Sequence, residues 1–297
     1  MPSAATRRTH WETTPVTHID TVPTTRGTIT TPILTFENPA GRTVTLIGLV
    51  HAATPRYYLQ VEERITALEE QGARVHVERV RNNTPAELKD ASRVERRAVR
   101  ALMTQMRNLP QICVHVDGVI YQGDGLSYPP RWENHDLDKL SVVRIWGPRA
   151  VRTAARAAAV LLRYVDTEIP SIQRRVLIAG LCANQDAPLE QVFPPNRVAV
   201  EKRREQVALD AMDTAFTSEQ TRHVVLVWGA GHVPGLSAGL VARGFEPIGE
   251  QRLTVLDLDR LPDLTVADAC CGVKHSALQR RTRARILANL KQPTDPH

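Results

Sequence analysis

An unbroken apolar run followed by Gly-x-x-His occurs twice in this chain. Thr43-Val44-Thr45-Leu46-Ile47 leads into Gly48-Leu49-Val50-His51, and His223-Val224-Val225-Leu226-Val227-Trp228 leads into Gly229-Ala230-Gly231-His232. Short apolar runs bounded by glycine read as strands buried in a sheet. In a mostly parallel sheet, the loops leaving the carboxyl ends of the strands form the ligand crevice. Two histidines delivered by equivalent turns can therefore meet in one cleft, although most of the chain separates them.

The rest of the pattern fills in an α/β protein. Residues 28–36 are β-rich, Asn38-Pro39-Ala40-Gly41 is a turn cluster and 43–50 is a second strand, so the two form a hairpin. A helical pattern over 56–71 carries Leu59, Ile65 and Leu68, with Tyr58 and Val61 beside them, and Gly72 stops it. Strand 73–80 completes a strand–helix–strand unit, whose parallel strands favour a right-handed crossover. A charged helix is expected over 86–107, a weakly alternating strand over 112–121 and a Gly/Pro-rich loop over 122–130. One or two Ala/Arg-rich helices come next over 137–165, with Arg149, Arg152, Arg156 and Arg163 on an exposed face. A short extended lead-in at 197–200 precedes a helix over 203–216, then strand 222–228, helix 234–243 ended by Gly244, and strand 245–258. The expected fold is a mixed, largely parallel central sheet flanked by helices. Residues 1–26 read as a flexible leader, 27–265 as the domain, and 266–297 as a basic tail with an amphipathic helix at 276–290.

Composition narrows the functional classes. Aromatic residues make up 4% of the chain, which argues against a base-stacking or carbohydrate-stacking platform. The net charge of +6 is concentrated at the end: residues 274–297 hold six Lys/Arg against one Asp. Such a tail can attract nucleic acid, acidic lipid or an acidic partner, but its commoner role is a solvated end, and nucleic-acid binding is not expected. Cys113, Cys182, Cys270 and Cys271 lack metal-finger spacing, and the adjacent pair is a poor disulfide. Arg7 and Arg8 have no apolar segment behind them, so no secretory signal is read, and the longest apolar stretch, 157–162, is too short to span a bilayer. A soluble, cytoplasmic protein is the expectation.

His51 and His232 are the leading site candidates, as ligands of a divalent ion or as an acid/base pair. Each alone could equally be a turn histidine with a local hydrogen bond. Glu78 and His76, two apart on strand 73–80, share a face and could reach the same pocket. A carboxylate among Val75, Val77 and Val80 is costly to bury without a metal ion or an arginine as partner, unless Glu78 already stands beyond the strand end in solvent or pairs with Arg79 or Arg81. Asp136 could hydrogen-bond a ligating imidazole or cap a helix before Leu137. Arg204 could hold a carboxylate or stabilise an oxyanion, or be one more surface charge in Lys202-Arg203-Arg204. Gly229-Ala230-Gly231 lacks nucleotide-binding glycine spacing and a P-loop lysine, no Gly-x-Ser-x-Gly elbow is present, and no cysteine sits in a nucleophile motif.

These residues bring a family into view. Leu46-Ile47-Gly48-Leu49-Val50-His51 with Tyr57 or Tyr58, Val75-His76-Val77-Glu78, Gln122, the 132–136 segment, Arg204-Glu205, and Val225 through Leu236 together resemble the TraB/PrgY/GumN group, which includes the Tiki metalloproteases. The most specific stretch is the second Gly-x-x-His, with Val233-Pro234-Gly235-Leu236 directly after it, and the resemblance spans 43–250. It implies an erythromycin-esterase/ChaN-like fold and a divalent-metal-dependent hydrolase (Mn, Co or Zn) of a peptide or other amide/ester bond. His51, His232 and Glu78 would be the metal set, with Glu78, Arg204 and Asp136 as catalytic or supporting residues. Two departures stand out: the helix start reads Arg203-Arg204-Glu205 where the family more often has Glu-Arg-Asn or Glu-Arg-Asp, and the signal and membrane segment of the Tiki branch are missing from this sequence. Two other readings keep the cleft: a metal-free, esterase-like acid–base hydrolase, and a non-catalytic peptide or small-molecule binder whose basic tail docks a partner. The expected partner is a peptide or small-molecule substrate, and the sequence leaves open a homo-oligomer.

Overall fold

Continuous Val/Leu/Ile runs bury both faces of a strand, and this chain places them at the centre of a six-stranded sheet. The computed structural model describes residues 28–108, 118–167 and 193–257. The leader read at 1–26, the basic tail with the helix expected at 276–290, and all four cysteines lie outside the described residues. The hairpin of β1 (Thr28–Glu37) and β2 (Thr43–Leu49) is followed by the two-residue β3 (Ala52–Ala53), α1 (Pro55–Glu70) and β4 (Arg74–Val77). Then come α2 (Pro85–Lys89), α3 (Arg93–Asn108), β5 (Ile120–Tyr121), α4 (Gln122–Gly125), β6 (Glu133–Asn134), α5 (Lys139–Trp146) and α6 (Pro148–Thr167). The last described elements are α7 (Pro195–Ala215), β7 (His223–Gly229), a 3-10 turn at Ala230–His232, α8 (Val233–Val241) and β8 (Glu246–Asp257).

The sheet runs β6-β4-β7-β2-β1-β8. Its first four strands are parallel to one another, and β1 pairs antiparallel with both β2 and β8. The expected mixed, largely parallel sheet flanked by helices is therefore present. β7 lies between β2 and β4, so the two Gly-x-x-His strands are direct neighbours, with Gly48 opposite Trp228 and Leu49 opposite Gly229. β4 meets the other side of β7, so the carboxyl ends of three consecutive strands open into one crevice.

Each sheet face has its own core. Ile47, Val75, Val77, Val225 and Val227 pack with α1 on one side, while Leu46, Val224, Leu226 and Trp228 pack with α7 and α8 on the other. Tyr57, Tyr58, Val61, Ile65 and Leu68 form the buried stripe of α1, each worth about 1.5–3 kcal/mol. Tyr57 belongs to this face rather than Leu59, which is only partly covered. A third cluster joins α3, α5 and α6 beside the sheet. No helix among the described residues is long and apolar enough to cross a membrane.

Several boundaries differ from those read in the sequence. The region 137–165 forms two helices, one of the two forms expected, but α7 begins at Pro195, so the extended lead-in at 197–200 is helical. The 122–130 loop opens with the single turn α4. β6 holds two residues and makes two register pairs with β4, too short to leave a periodic signal.

Candidate active site

The early start of α7 decides the site, because it adds polar residues to its buried face. Arg197, Glu201, Arg204 and Glu205 succeed one another at helical spacing, and Glu201, Arg204 and Glu205 are buried, whereas Lys202 and Arg203 are exposed. This face lies against the ends of β4 and β7. Arg204 is its hub, 6% exposed. It donates from Nε to Asp136 Oδ1 at 2.9 Å and from Nη2 to Asp136 Oδ2 at 2.7 Å, a bidentate pair. It also donates from Nη2 to Glu78 Oε1 at 2.5 Å and from Nη1 to Glu201 Oε2 at 2.9 Å. Arg204 is thus the partner that a buried carboxylate on β4 needed. It is a buried cation rather than a surface charge, and Asp136 serves it rather than an imidazole. The cap of α5 falls to Asp138 instead, whose carboxylate accepts from the Ser141 N–H.

Glu78 comes directly after β4, and its N–H continues the ladder to Val227 O at 3.0 Å. Its second carboxylate oxygen accepts from the Gly229 N–H. A Cβ at 229 would stand 3.0 Å from Glu78 Oε2, so any other residue there would have to push the carboxylate back. Burial raises the Glu78 pKa, but Arg204, His232 and the Gly229 N–H outweigh it and bring it down to about 2.

His232 ends the 3-10 turn and is 6% exposed. Its Nδ1 lies 3.0 Å from Glu205 Oε1, and its Nε2 lies 3.3 Å from Glu201 Oε2 and 3.8 Å from Glu78 Oε1. Burial disfavours charge on this ring, yet Glu78, Glu201 and Glu205 push its pKa up to about 9. Glu201 is held down at about 2, burial being outweighed by His232, Arg197 and Arg204. Arg197 pairs with the other Glu201 oxygen. Four carboxylates thus face two guanidiniums around one imidazole, a surplus of negative charge that a proton on His232 only halves.

His51 is held differently. The buried hydroxyls of Tyr57 and Tyr58 donate to Gly48 O at 2.9 Å and Val50 O at 2.8 Å, which fixes the turn from α1. β3 then pairs with β5, and Gln122 N–H donates to His51 O at 2.8 Å. The His51 ring is exposed and stacks at 6.3 Å on Tyr121. Its Nδ1 lies 3.0 Å from Gln122 Oε1, while Gln122 Nε2 donates to Tyr128 Oη at 2.6 Å. With Gln122 Oε1 as the acceptor, Nδ1 is the donor of this pair, and Nε2 is the ring nitrogen left for another partner. His51 is within electrostatic reach of Glu78 and helps hold its pKa down.

The structure therefore gathers Glu78, Asp136 and His232 around Arg204, with His51 exposed and near enough to act on Glu78 electrostatically. His76 does not join them: it faces Glu133 and His135 instead. Sequence reasoning missed Glu201 and Arg197 and quoted Glu205 without giving it a role; the charge spacing along one helix face could have revealed all three. Among the described residues, the His/Cys/Asp/Glu group with ligand atoms within 4.8 Å of one another is His76, Glu133 and His135, not His51, His232 and Glu78.

The donor set of the cleft nevertheless suits a divalent ion in its chemistry: imidazole nitrogens, a carboxylate, and two unmatched negative charges when His232 is neutral. The cost is that the Arg204 guanidinium already lies on Glu78 Oε1 and 3.3 Å from His232 Nε2.

The chain matches no family model, no curated protein and no solved structure.

Proposed function

We propose that this protein is a divalent-metal-dependent hydrolase of a peptide or other amide or ester bond, acting at the crevice where β2, β7 and β4 end. The observation that carries the reading is the ring of carboxylates on His232, with Glu205 at 3.0 Å from Nδ1 and Glu201 and Glu78 at 3.3 and 3.8 Å from Nε2, which together push the pKa of this buried imidazole up to about 9. A site with that potential attracts positive charge. His51, His232 and Glu78 would hold the ion, with Arg204 drawn back onto Asp136, Glu201 and Glu205 orienting His232, and Gln122 with Tyr128 orienting His51. A bound Mn²⁺, Co²⁺ or Zn²⁺ supplies Lewis acidity toward the substrate carbonyl and an acidified water. Arg204 acts by position, since it is buried and keeps Asp136 and Glu201 as partners when it leaves Glu78 to the ion. The resemblance to the TraB/PrgY/GumN group and its erythromycin-esterase/ChaN-like fold supports the same assignment.

A second reading, a metal-free acid–base hydrolase, is favoured by the Arg204 guanidinium standing between Glu78 and His232. There His51 Nε2 would take the proton of the attacking water. One experiment separates the two. The full chain, purified without chelator, is analysed for bound metal and assayed on a peptide and ester library, then again after chelation and after addition of Mn²⁺ or Co²⁺. The metal reading expects loss on chelation and recovery on addition. Turnover indifferent to chelator but abolished by His51→Ala favours the acid–base form, and turnover that survives His51→Ala overturns both. A chain that binds peptides without cleaving them is the remaining alternative, a binding protein.

A further inference from the structure

His76 is the most deeply buried histidine among the described residues, with 1% of its side chain exposed, yet neither ring nitrogen makes a hydrogen bond. Leaving such groups unmatched costs about 1–3 kcal/mol each. The ring is not isolated. Its Nε2 points to Glu133 Oε2 at 3.9 Å, and the same oxygen lies 3.1 Å from His135 Nε2. The two imidazoles are 4.4 Å apart between ring centres. The other Glu133 oxygen is held by Arg74, at 3.0 Å from Nε and 2.5 Å from Nη2, so Oε2 is oriented toward both rings.

We propose that His76, Glu133 and His135 form a binding site for a divalent transition-metal ion of the zinc class, built into the β4/β6 edge of the sheet and separate from the cleft. Donor atoms around a tetrahedral ion stand roughly 3.3–3.6 Å apart, given bonds of about 2.0–2.2 Å. The distances of 3.1 and 3.9 Å bracket that spacing, so small side-chain rotations close the site. Two imidazoles and one carboxylate select zinc, cobalt or nickel over magnesium or calcium. Glu133 and His135 are each about one-third exposed, which gives the ion a route from solvent and leaves a position for water. Arg74 plays the orienting role that outer partners of ligating carboxylates play.

The site also has a structural use. β6 is joined to β4 by two register pairs, His76 with Glu133 and Val77 with Asn134. An ion bridging His76 to Glu133 and His135 would bolt that short strand to the sheet. The residue after His135 is Asp136, which grips Arg204 bidentately. The ion would therefore fix the segment that positions the hub of the cleft. This inference stands on its own residues and holds whether or not the cleft is a metallohydrolase.

The test is a Co²⁺ titration of the chelator-treated full chain, followed by visible absorption and by stoichiometry after dialysis, in wild type, His51→Ala, His135→Gln and Glu133→Gln. The expected result is that His51→Ala still retains one ion, while His135→Gln and Glu133→Gln, each checked for wild-type circular dichroism, weaken that binding by about 10-fold or more. Zn²⁺ should raise the melting temperature of wild type and His51→Ala, and adding His135→Gln to His51→Ala should remove that rise. The proposal is overturned if His135→Gln and Glu133→Gln bind as wild type, or if His51→Ala removes all bound metal, which would assign the ion to the cleft. Failure of every hydrolase assay would leave this result untouched.

Discussion

His232 and His51 close the same four-residue motif at the ends of neighbouring parallel strands, yet one is ringed by carboxylates in the interior and the other faces solvent with Gln122 as its partner. The difference lies in the element that each turn leads into. After Gly229 the chain coils at once into a 3-10 turn and α8, which packs against α7 and brings the imidazole onto its charged face. After Gly48 the chain stays extended, pairs as β3 with β5, and leaves the ring outside. The motif marks a strand end, and the next element decides whether its histidine becomes a buried charge or a reachable lone pair. On the proposed function, the inner histidine belongs to stability as much as to chemistry, and the outer one to chemistry alone.

The largest effect should come from the inner region. Arg204→Ala removes the guanidinium that touches Glu78, Asp136 and Glu201 together and leaves buried carboxylates uncompensated. We expect a loss of about 3–5 kcal/mol in denaturant unfolding, together with activity. Arg204→Lys should recover little, because an ammonium cannot repeat the bidentate grip on Asp136. A loss below about 1 kcal/mol for Arg204→Ala would mean that the network relaxes freely and that the inner turn is not a structural centre.

The pH dependence of stability sharpens the same contrast. The folded pKa of His232 is raised from 6.5 to about 9, so its contribution is fully present below 6.5 and is lost as pH rises toward 9. Glu78 and Glu201 are lowered from 4.5 to about 2, so theirs is present above 4.5 and is lost as pH falls toward 2. The network should contribute most between about pH 4.5 and 6.5. Thermal melts across pH should show an alkaline decline that His51→Ala keeps and His232→Ala lacks. Equal alkaline profiles for the two variants would break the distinction between the turns. In the metal reading, loading the cleft must also displace the His232 proton, so calorimetry in buffers of different ionisation enthalpy should detect its release.

The sequence made the frame legible where residues are long and repetitive in pattern. β2 and β7 announce themselves as apolar runs, and α1 as a stripe that Gly72 ends with a φ of +88°. Glu78 was legible as a carboxylate needing a partner. The partner was not, because Lys202-Arg203-Arg204 reads as a surface run unless the helix is known to begin at Pro195. Only then do Arg197, Glu201, Arg204 and Glu205 fall on one face. β6 and β5 hold two residues each, less than one period of alternation, so the pairings that place Asp136 and orient His51 leave no local signal. His76 misled for a related reason. It shares strand parity with Glu78, but its parallel neighbour on β6 is Glu133, and a register across strands cannot be read along one of them.

The smallest expected change in stability is at the outer turn, and it is also the most discriminating for function. His51 is exposed, and its backbone is fixed by Tyr57, Tyr58 and Gln122 whatever its side chain. His51→Ala should therefore unfold within about 0.5 kcal/mol of wild type. If its Nε2 ligates the ion or moves the proton, kcat should fall by about 10²–10⁴-fold in the same protein. Gln122→Leu probes the layer behind it: it deletes the acceptor that sets the His51 tautomer while leaving the ring in place, and should cost about 10-fold in activity. A His51→Ala variant as active as wild type would strip the first turn of its role, and the shared motif would then record only how two strands end.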